Sequence, residues 1–174
     1  DAAIDAYHQV IRIKPDNADA HNNLGGMFGS KGDFDAAIDA FNQAIRINPE
    51  YANAYCGLGI ALKNKGDLDA AIDAYNQAIR INPEYASAYY NLGSSLWNKG
   101  DLDAAIDAFN QAIRINPEYS GAYFNLGSTL AKKGDFDASI NAYSQAIRIN
   151  PEHANAYYGL GITLKAKGDL DASI

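Results

Sequence analysis

The sequence predicts an all-α protein in which antiparallel helix pairs recur every 34 residues. Five prolines keep this interval: Pro15, Pro49, Pro83, Pro117 and Pro151. Two series of glycines, beginning at Gly25 and Gly32, keep the same interval. A repeat of this length indicates one supersecondary unit per copy, which buries its apolar faces only by stacking on its neighbours. The 174 residues are therefore predicted to form one array.

The first half of each repeat predicts a helix. In the copy at residues 86–119 the large and small apolar residues follow the i, i+3, i+4, i+7 spacing of one helical face: Tyr89, Leu92, Gly93 and Leu96. Lys99 and Gly100 then end the helix, because a cation suits a helix C-terminus and glycine adopts the left-handed conformation there.

The second half of the repeat predicts another helix. Asp101 is placed to act as its N-cap, and Asp103 adds negative charge to its first turn. Apolar residues recur near the helical period: Leu102, Ala105, Ile106, Phe109, Ala112 and Ile113. Pro117 ends the helix, since proline disfavours the α conformation in the preceding residue. The connections are short, so the two helices are expected to be antiparallel neighbours.

The repeat phase divides the array into four full copies between two partial copies. The full copies are residues 18–51, 52–85, 86–119 and 120–153. The first partial copy, residues 1–17, contains only a second helix. The last, residues 154–174, contains a first helix and the start of a second.

These positions resemble the signature of the tetratricopeptide repeat family. The first helix of the signature has a large residue, then Leu-Gly, then another large residue, and the second helix has Ala, an aromatic residue and Ala before a Pro. One copy carries these residues in that order: Tyr55, Leu58, Gly59, Leu62, Ala71, Tyr75, Ala78 and Pro83. His21 departs from the aromatic position, and Ser139 and Ser173 replace the small Ala. The resemblance covers the whole chain. It implies a right-handed superhelical solenoid whose first helices line a concave groove.

Composition excludes several classes of partner. The formal charge is −7, from 14 basic and 21 acidic side chains, which disfavours nucleic acid and anionic membrane surfaces. The apolar stretches are too short to span a membrane, and no signal peptide is visible. Cys56 has no partner for an internal disulfide. The cytoplasm is therefore favoured over secretion.

No residues converge on a catalytic or metal site. His8, His21 and His153 lie at different repeat phases, and Cys56 has no matching histidine; it is expected to be a small residue lining the groove. The aspartates of the recurring Gly-Asp turn are explained by helix capping, and a calcium loop would need further ligands. We therefore expect no enzymatic activity, no metal and no cofactor.

The copies differ mainly in their first helices. Residues 51–84 and 85–118 differ at seven positions, six of them in the first helix and mostly on the face away from the predicted core. A recognition surface explains this concentration, and neutral drift of exposed residues is the alternative. We therefore expect an extended peptide or partner segment to bind the groove.

The groove-facing residues suggest how a peptide would be held. Asn23, Asn91 and Asn125 share one repeat position and resemble the asparagine ladder in the tetratricopeptide superhelix of the O-GlcNAc transferase, interrupted here by Gly57 and Gly159. A side-chain amide both donates and accepts, so it can pair with a peptide backbone. Aromatic and hydroxyl side chains complete the predicted site: Tyr90, Ser94, Trp97, Phe124, Ser128 and Tyr158.

Two other interpretations remain open: a structural spacer or head-to-tail self-assembling scaffold, and the targeting arm of a larger enzyme. Head-to-tail contact is suggested by two complementary apolar surfaces, Ile4, Tyr7 and Ile11 near one end and Tyr157, Leu160 and Leu164 near the other. Inside the array the equivalent surfaces pack together, so two copies could stack. A longer array that covers both surfaces itself is the alternative.

Overall fold

The computed structural model describes the backbone of residues 2–171 and the side chains of residues 2–168. Within these residues the chain forms ten helices and no strand, which confirms the predicted all-α fold of consecutive helix pairs. The chain divides into two compact units, residues 1–88 and 89–174. Ser173, one of the departures from the repeat pattern, lies outside the described residues.

The first unit contains five helices: α1 (Ala2–Ile13), α2 (Ala18–Ser30), α3 (Phe34–Ile47), α4 (Ala52–Lys65) and α5 (Leu68–Ile81). The even-numbered helices are the first helices of their repeats, called A-type below, and the odd-numbered helices are the second, called B-type. Each helix of this unit packs on the next one in sequence, and the A-type helices α2 and α4 also touch each other.

The second unit contains most of α6 (Ala86–Lys99), which begins at the end of the first unit, and four further helices: α7 (Leu102–Ile115), α8 (Ser120–Lys133), α9 (Phe136–Ile149) and α10 (Ala154–Asp171). Helix α8 packs between the B-type helices α7 and α9, and α9 packs on α10. The A-type helices α8 and α10 also touch.

The helix ends predicted for the copy at residues 86–119 are confirmed. The Asp101 carboxylate accepts a hydrogen bond of 3.2 Å from the Ala104 amide, which makes it the N-cap of α7. Gly100, just after α6, has φ +87°, a conformation that favours glycine. Asn116, before Pro117, is extended with φ −128° and ψ 91°.

The buried surface of the A-type helices is wider than the sequence analysis predicted. Ala54 and Ala61 of α4 pack in one cluster with Phe41 of the preceding helix α3. The position of Ala61 is occupied by Ser95 and Thr129 in two later copies, and both are 0% exposed. Variation at this position therefore lies in the core and not on a recognition face, because α4 and α8 each pack against the B-type helix before them as well as the one after them.

Helix α10 corrects a second expectation. The repeat pattern places a helix end near Gly168, but α10 continues through Gly168 to Asp171. In full copies the left-handed glycine is followed at once by an N-capped B-type helix, as Gly100 is followed by Asp101 and α7. Gly168 is not among the glycines that take a positive φ, and the backbone hydrogen bonding of α10 continues past it.

Candidate functional site

The A-helix face of the second unit is the surface on which α6, α8 and α10 present most of the predicted binding residues. Two contacts join α6 to α8 on this face. The side-chain amide of Asn125 donates a hydrogen bond of 3.5 Å to Ser94 Oγ. The Lys132 ammonium lies 4.7 Å from the centroid of the Trp97 ring, within the range of a cation–π interaction. The structure therefore brings Ser94, Trp97 and Asn125 together.

Tyr90 is partly used for packing. Its ring stacks on Tyr119 with the centroids 4.9 Å apart and is tilted against Phe109 with the centroids 6.1 Å apart. Tyr90 is half-buried and belongs to the rim of the hydrophobic cluster around Phe109. Only part of the ring is therefore available to a ligand.

Phe124 repeats this arrangement in the next copy. Its ring centroid lies 5.0 Å from that of His153 and 5.9 Å from that of Tyr143, and the side chain is half-buried. The Tyr143 hydroxyl lies 3.0 Å from Ser128 Oγ, so these two groups share a hydrogen bond. The predicted residues Phe124 and Ser128 thus lie next to each other over the ring of Tyr143.

Trp97 and Tyr158 are the aromatic residues of the predicted site that remain exposed. Trp97 is 37% exposed on α6, and Tyr158 is 74% exposed on α10. Large exposed aromatic side chains beside polar groups are typical of binding hot spots. Both rings are therefore accessible, as an aromatic contact with a ligand would require.

The predicted asparagine ladder is distributed over both units. Asn91 and Asn125 are half-buried on α6 and α8 of the second unit. Asn23 is exposed on α2 of the first unit, where its Oδ1 accepts a hydrogen bond of 3.4 Å from Asn22.

The two glycines that interrupt the ladder have a packing reason. A Cβ atom added at Gly57 would lie 2.4 Å from Cε1 of Phe41, and one added at Gly159 would lie 2.6 Å from Cζ of Tyr143. In both cases the ring comes from the preceding B-type helix. It occupies the space that an asparagine side chain would need.

A slot between α2 and α4 in the first unit was not predicted from the sequence. The slot has a volume of about 380 Å³ and its exposed lining is mainly apolar. It is lined by three glycines of α2, by Ile60 and Gly57 of α4, and by the ring of Phe41. The signal in the sequence was the lack of side chains at Gly26 and Gly29, which face this space.

The lysines near the ends of the A-type helices form two groups. One group makes ion pairs with the preceding B-type helix: Lys65 with Asp35, Lys133 with Asp103 and Lys167 with Asp137. The other group, Lys63, Lys132 and Lys165, forms no ion pair with the residues that the structure describes. The first group joins neighbouring repeats, whereas in the second group Lys132 lies over the Trp97 ring.

Cys56 does not line the groove as expected. It is 4% exposed, and burial raises the pKa of its thiol even though a hydrogen bond with Tyr85 lowers it. Burial also lowers the pKa of the nearby Lys63 ammonium. A thiol with these properties is protonated and shielded near neutral pH, so it is not an activated nucleophile.

The three histidines have separate surroundings. Nε2 of His21 lies 3.1 Å from the Pro15 carbonyl oxygen, His153 packs on Phe124, and the His8 ring centroid lies 6.4 Å from that of Phe28. In the described part of the chain, no three residues of the His, Cys, Asp and Glu types lie together as metal ligands would. None of the described helices is long and apolar enough to cross a membrane.

The residues predicted to pack end to end differ in exposure. Ile4, Tyr7 and Ile11 of α1 are half-buried, and no residue of α1 is fully buried. On α10, Tyr157 and Leu164 are each 51% exposed and Leu160 is half-buried: the helix therefore presents an uncovered apolar face.

Family models identify the same repeat along the chain. Two models described as "Tetratricopeptide repeat" match residues 56–120 and 108–141. A model described as "TPR repeat" matches residues 1–29, 26–66 and 127–168. No curated protein sequence matches the chain significantly.

Solved structures show the same fold. The structure of MamA is 32% identical with a TM-score of 0.79, over 87% of this chain and 88% of that one. YrrB, described as a TPR protein with an unusual peptide-binding site, is 24% identical with a TM-score of 0.79, over 94% of this chain and 84% of that one. The Pseudomonas aeruginosa protein pilF is 19% identical with a TM-score of 0.81, over 87% of this chain and 69% of that one. The last two comparisons concern the fold alone.

Proposed function

Because this chain belongs to the tetratricopeptide repeat family of protein-interaction modules, we propose that it binds an extended peptide or partner segment along its A-type helices and catalyses no reaction. The observation that carries the proposal is the composition of the A-helix face of the second unit. There the exposed rings of Trp97 and Tyr158 accompany the amides of Asn91 and Asn125.

This composition suits an extended peptide for a physical reason. Amide and hydroxyl groups can pair with the backbone N–H and C=O groups of a peptide, which would otherwise lose their hydrogen bonds to water. The aromatic rings can bury apolar side chains of the same peptide. YrrB shows that this fold can carry a peptide-binding site.

The proposal is tested by selecting binders from a random library of 12-residue peptides and measuring their affinity for variants. Trp97→Ala should weaken a selected peptide by on the order of 2 kcal/mol, or about 30-fold, as truncation of a hot-spot aromatic does. The matched control is Gln111→Ala, which removes an exposed side chain from the B-type helix α7 and should leave affinity unchanged. Failure to select any peptide, or equal losses in the two variants, would contradict the proposal.

Self-association is a second candidate function, favoured by the uncovered face of α10. In the preceding copy, α9 packs on α8 and covers Leu126, which is 8% exposed. On α10 the corresponding residue, Leu160, is only half-buried, and Leu164 is 51% exposed. A B-type helix such as α1 of a second copy, or one from further residues of the same polypeptide, could cover this face.

Light scattering across a hundredfold concentration range tests self-association of the 174-residue chain. We expect the mass to rise with concentration, and Leu164→Glu to return it to that of one chain, because a buried unpaired carboxylate opposes the contact. A matched control is Gln111→Glu, which adds the same charge on α7. A mass of one chain at every concentration would refute stacking.

A further inference from the structure

We propose that the slot between α2 and α4 is an anchor pocket that accepts one aromatic side chain of the bound peptide. The inference rests on the proposed peptide-binding function and adds a second site to it, in the first unit. It is supported by the shape of the slot and by an equivalent space elsewhere in the chain.

Packing within the protein does not explain the glycines that open the slot. A Cβ atom added at Gly26 would meet nothing within 4 Å, and one added at Gly29 would meet only Ala37 Cβ, at 3.9 Å. Gly25 and Gly57 differ, because an added Cβ would collide with the ring of Phe41. Glycine is unfavourable inside a helix, so two glycines without a packing reason indicate that the space itself is used.

The second unit shows which group fits such a space. Gly29 and Trp97 occupy the same repeat position, and so do Asn64 and Lys132. Between α6 and α8, the Trp97 ring extends toward α8 and lies below the Lys132 ammonium, at 4.7 Å. Between α2 and α4 the corresponding space is the open slot of about 380 Å³. An aromatic ring supplied by a ligand can therefore take the place that Trp97 fills from within the chain.

The first experiment measures binding of N-acetyltryptophanamide to the whole chain by NMR. We expect chemical-shift changes at the amides of Gly26 and Gly29. Gly29→Trp should remove these changes, because its ring fills the slot as Trp97 fills the equivalent space. Gly29→Ala is the matched control: it adds only a Cβ in ordinary contact and should retain the shifts. Absence of shifts in the wild type, or their survival in a folded Gly29→Trp variant, overturns the proposal.

A second blocking variant guards against misfolding. Gly26→Leu places its side chain in open space and should also abolish the shifts, with a circular-dichroism melt at least as high as that of the wild type.

Peptides from the 12-residue library separate this inference from the proposed function. If both hold, Gly29→Trp should weaken the selected peptides about tenfold or more while Gly29→Ala does not. Selected peptides that lose affinity in Trp97→Ala but not in Gly29→Trp would refute the anchor pocket and leave the proposed function intact. Shifts with N-acetyltryptophanamide but no selectable peptide would support the pocket and contradict the peptide-binding function.

Discussion

Two neighbouring glycines of α2 allow a sharp test of the packing. Gly25→Ala and Gly26→Ala make the same chemical change at adjacent positions of one helix. An added Cβ at Gly25 would lie 2.9 Å from Cδ1 and Cε1 of Phe41, whereas one at Gly26 would meet nothing within 4 Å. The difference in stability between the two variants therefore isolates the contact with the ring.

The magnitude follows from two opposing effects. Replacing glycine by alanine inside a helix stabilises it by about 1 kcal/mol, and this gain applies to both variants. Carbon atoms prefer to lie about 3.5–4.0 Å apart, so the Phe41 ring would have to move by roughly 0.6–1 Å. The ring cannot move directly away from Gly25 without approaching the α4 backbone, because a Cβ added at Gly57 would already lie 2.4 Å from its Cε1. Overpacking of this kind costs about 1–3 kcal/mol.

We therefore expect Gly26→Ala to be about 1 kcal/mol more stable than the wild type. Gly25→Ala should be about 1–3 kcal/mol less stable than Gly26→Ala, because the helix contribution cancels between them. Urea unfolding followed by far-UV circular dichroism measures both, and equal slopes would show that the same surface unfolds in each variant. Equal midpoints for the two variants would refute the argument that Phe41 requires a glycine at position 25.

Three further predictions concern other contacts. Gly93→Val should lower the free energy of unfolding, measured in urea, by roughly 1–3 kcal/mol, because its Cβ would lie 2.7 Å from Cε1 of Phe109. An unchanged free energy of unfolding would contradict this close contact. A double-mutant cycle on the exposed Lys133–Asp103 pair should give a coupling free energy of about 0.2–1 kcal/mol that falls in high salt. A larger coupling that does not change with salt would show that the pair is not exposed to solvent. Cys56 should react with iodoacetamide far more slowly in the native chain than in urea, because it is buried. Native labelling should rise only at a pH above the ordinary range of a thiol, because burial raises the pKa of Cys56. Rapid native labelling at pH 8 would contradict its burial.

The candidate site was only partly predictable from the sequence. Trp97 and Tyr158 could be placed outside the core because they fall off the apolar face of their helices, and both are exposed. Tyr90 was assigned to the same surface, yet it stacks on Tyr119, because the last residue of the repeat, just before α8, packs back on the A-type helix α6. Helical periodicity describes one helix at a time, so it cannot report contacts with a residue 29 positions later.

Periodicity and turn chemistry in the sequence determined the helix pairs. The carboxylate of Asp101 caps α7, and Gly100 takes the left-handed conformation, for local reasons that involve only neighbouring backbone atoms. The tertiary structure decided which surfaces remain after stacking. Thr129 is buried although its repeat position varies between copies, and the slot beside Gly29 stays open. Both outcomes depend on how far a neighbouring helix reaches across the gap.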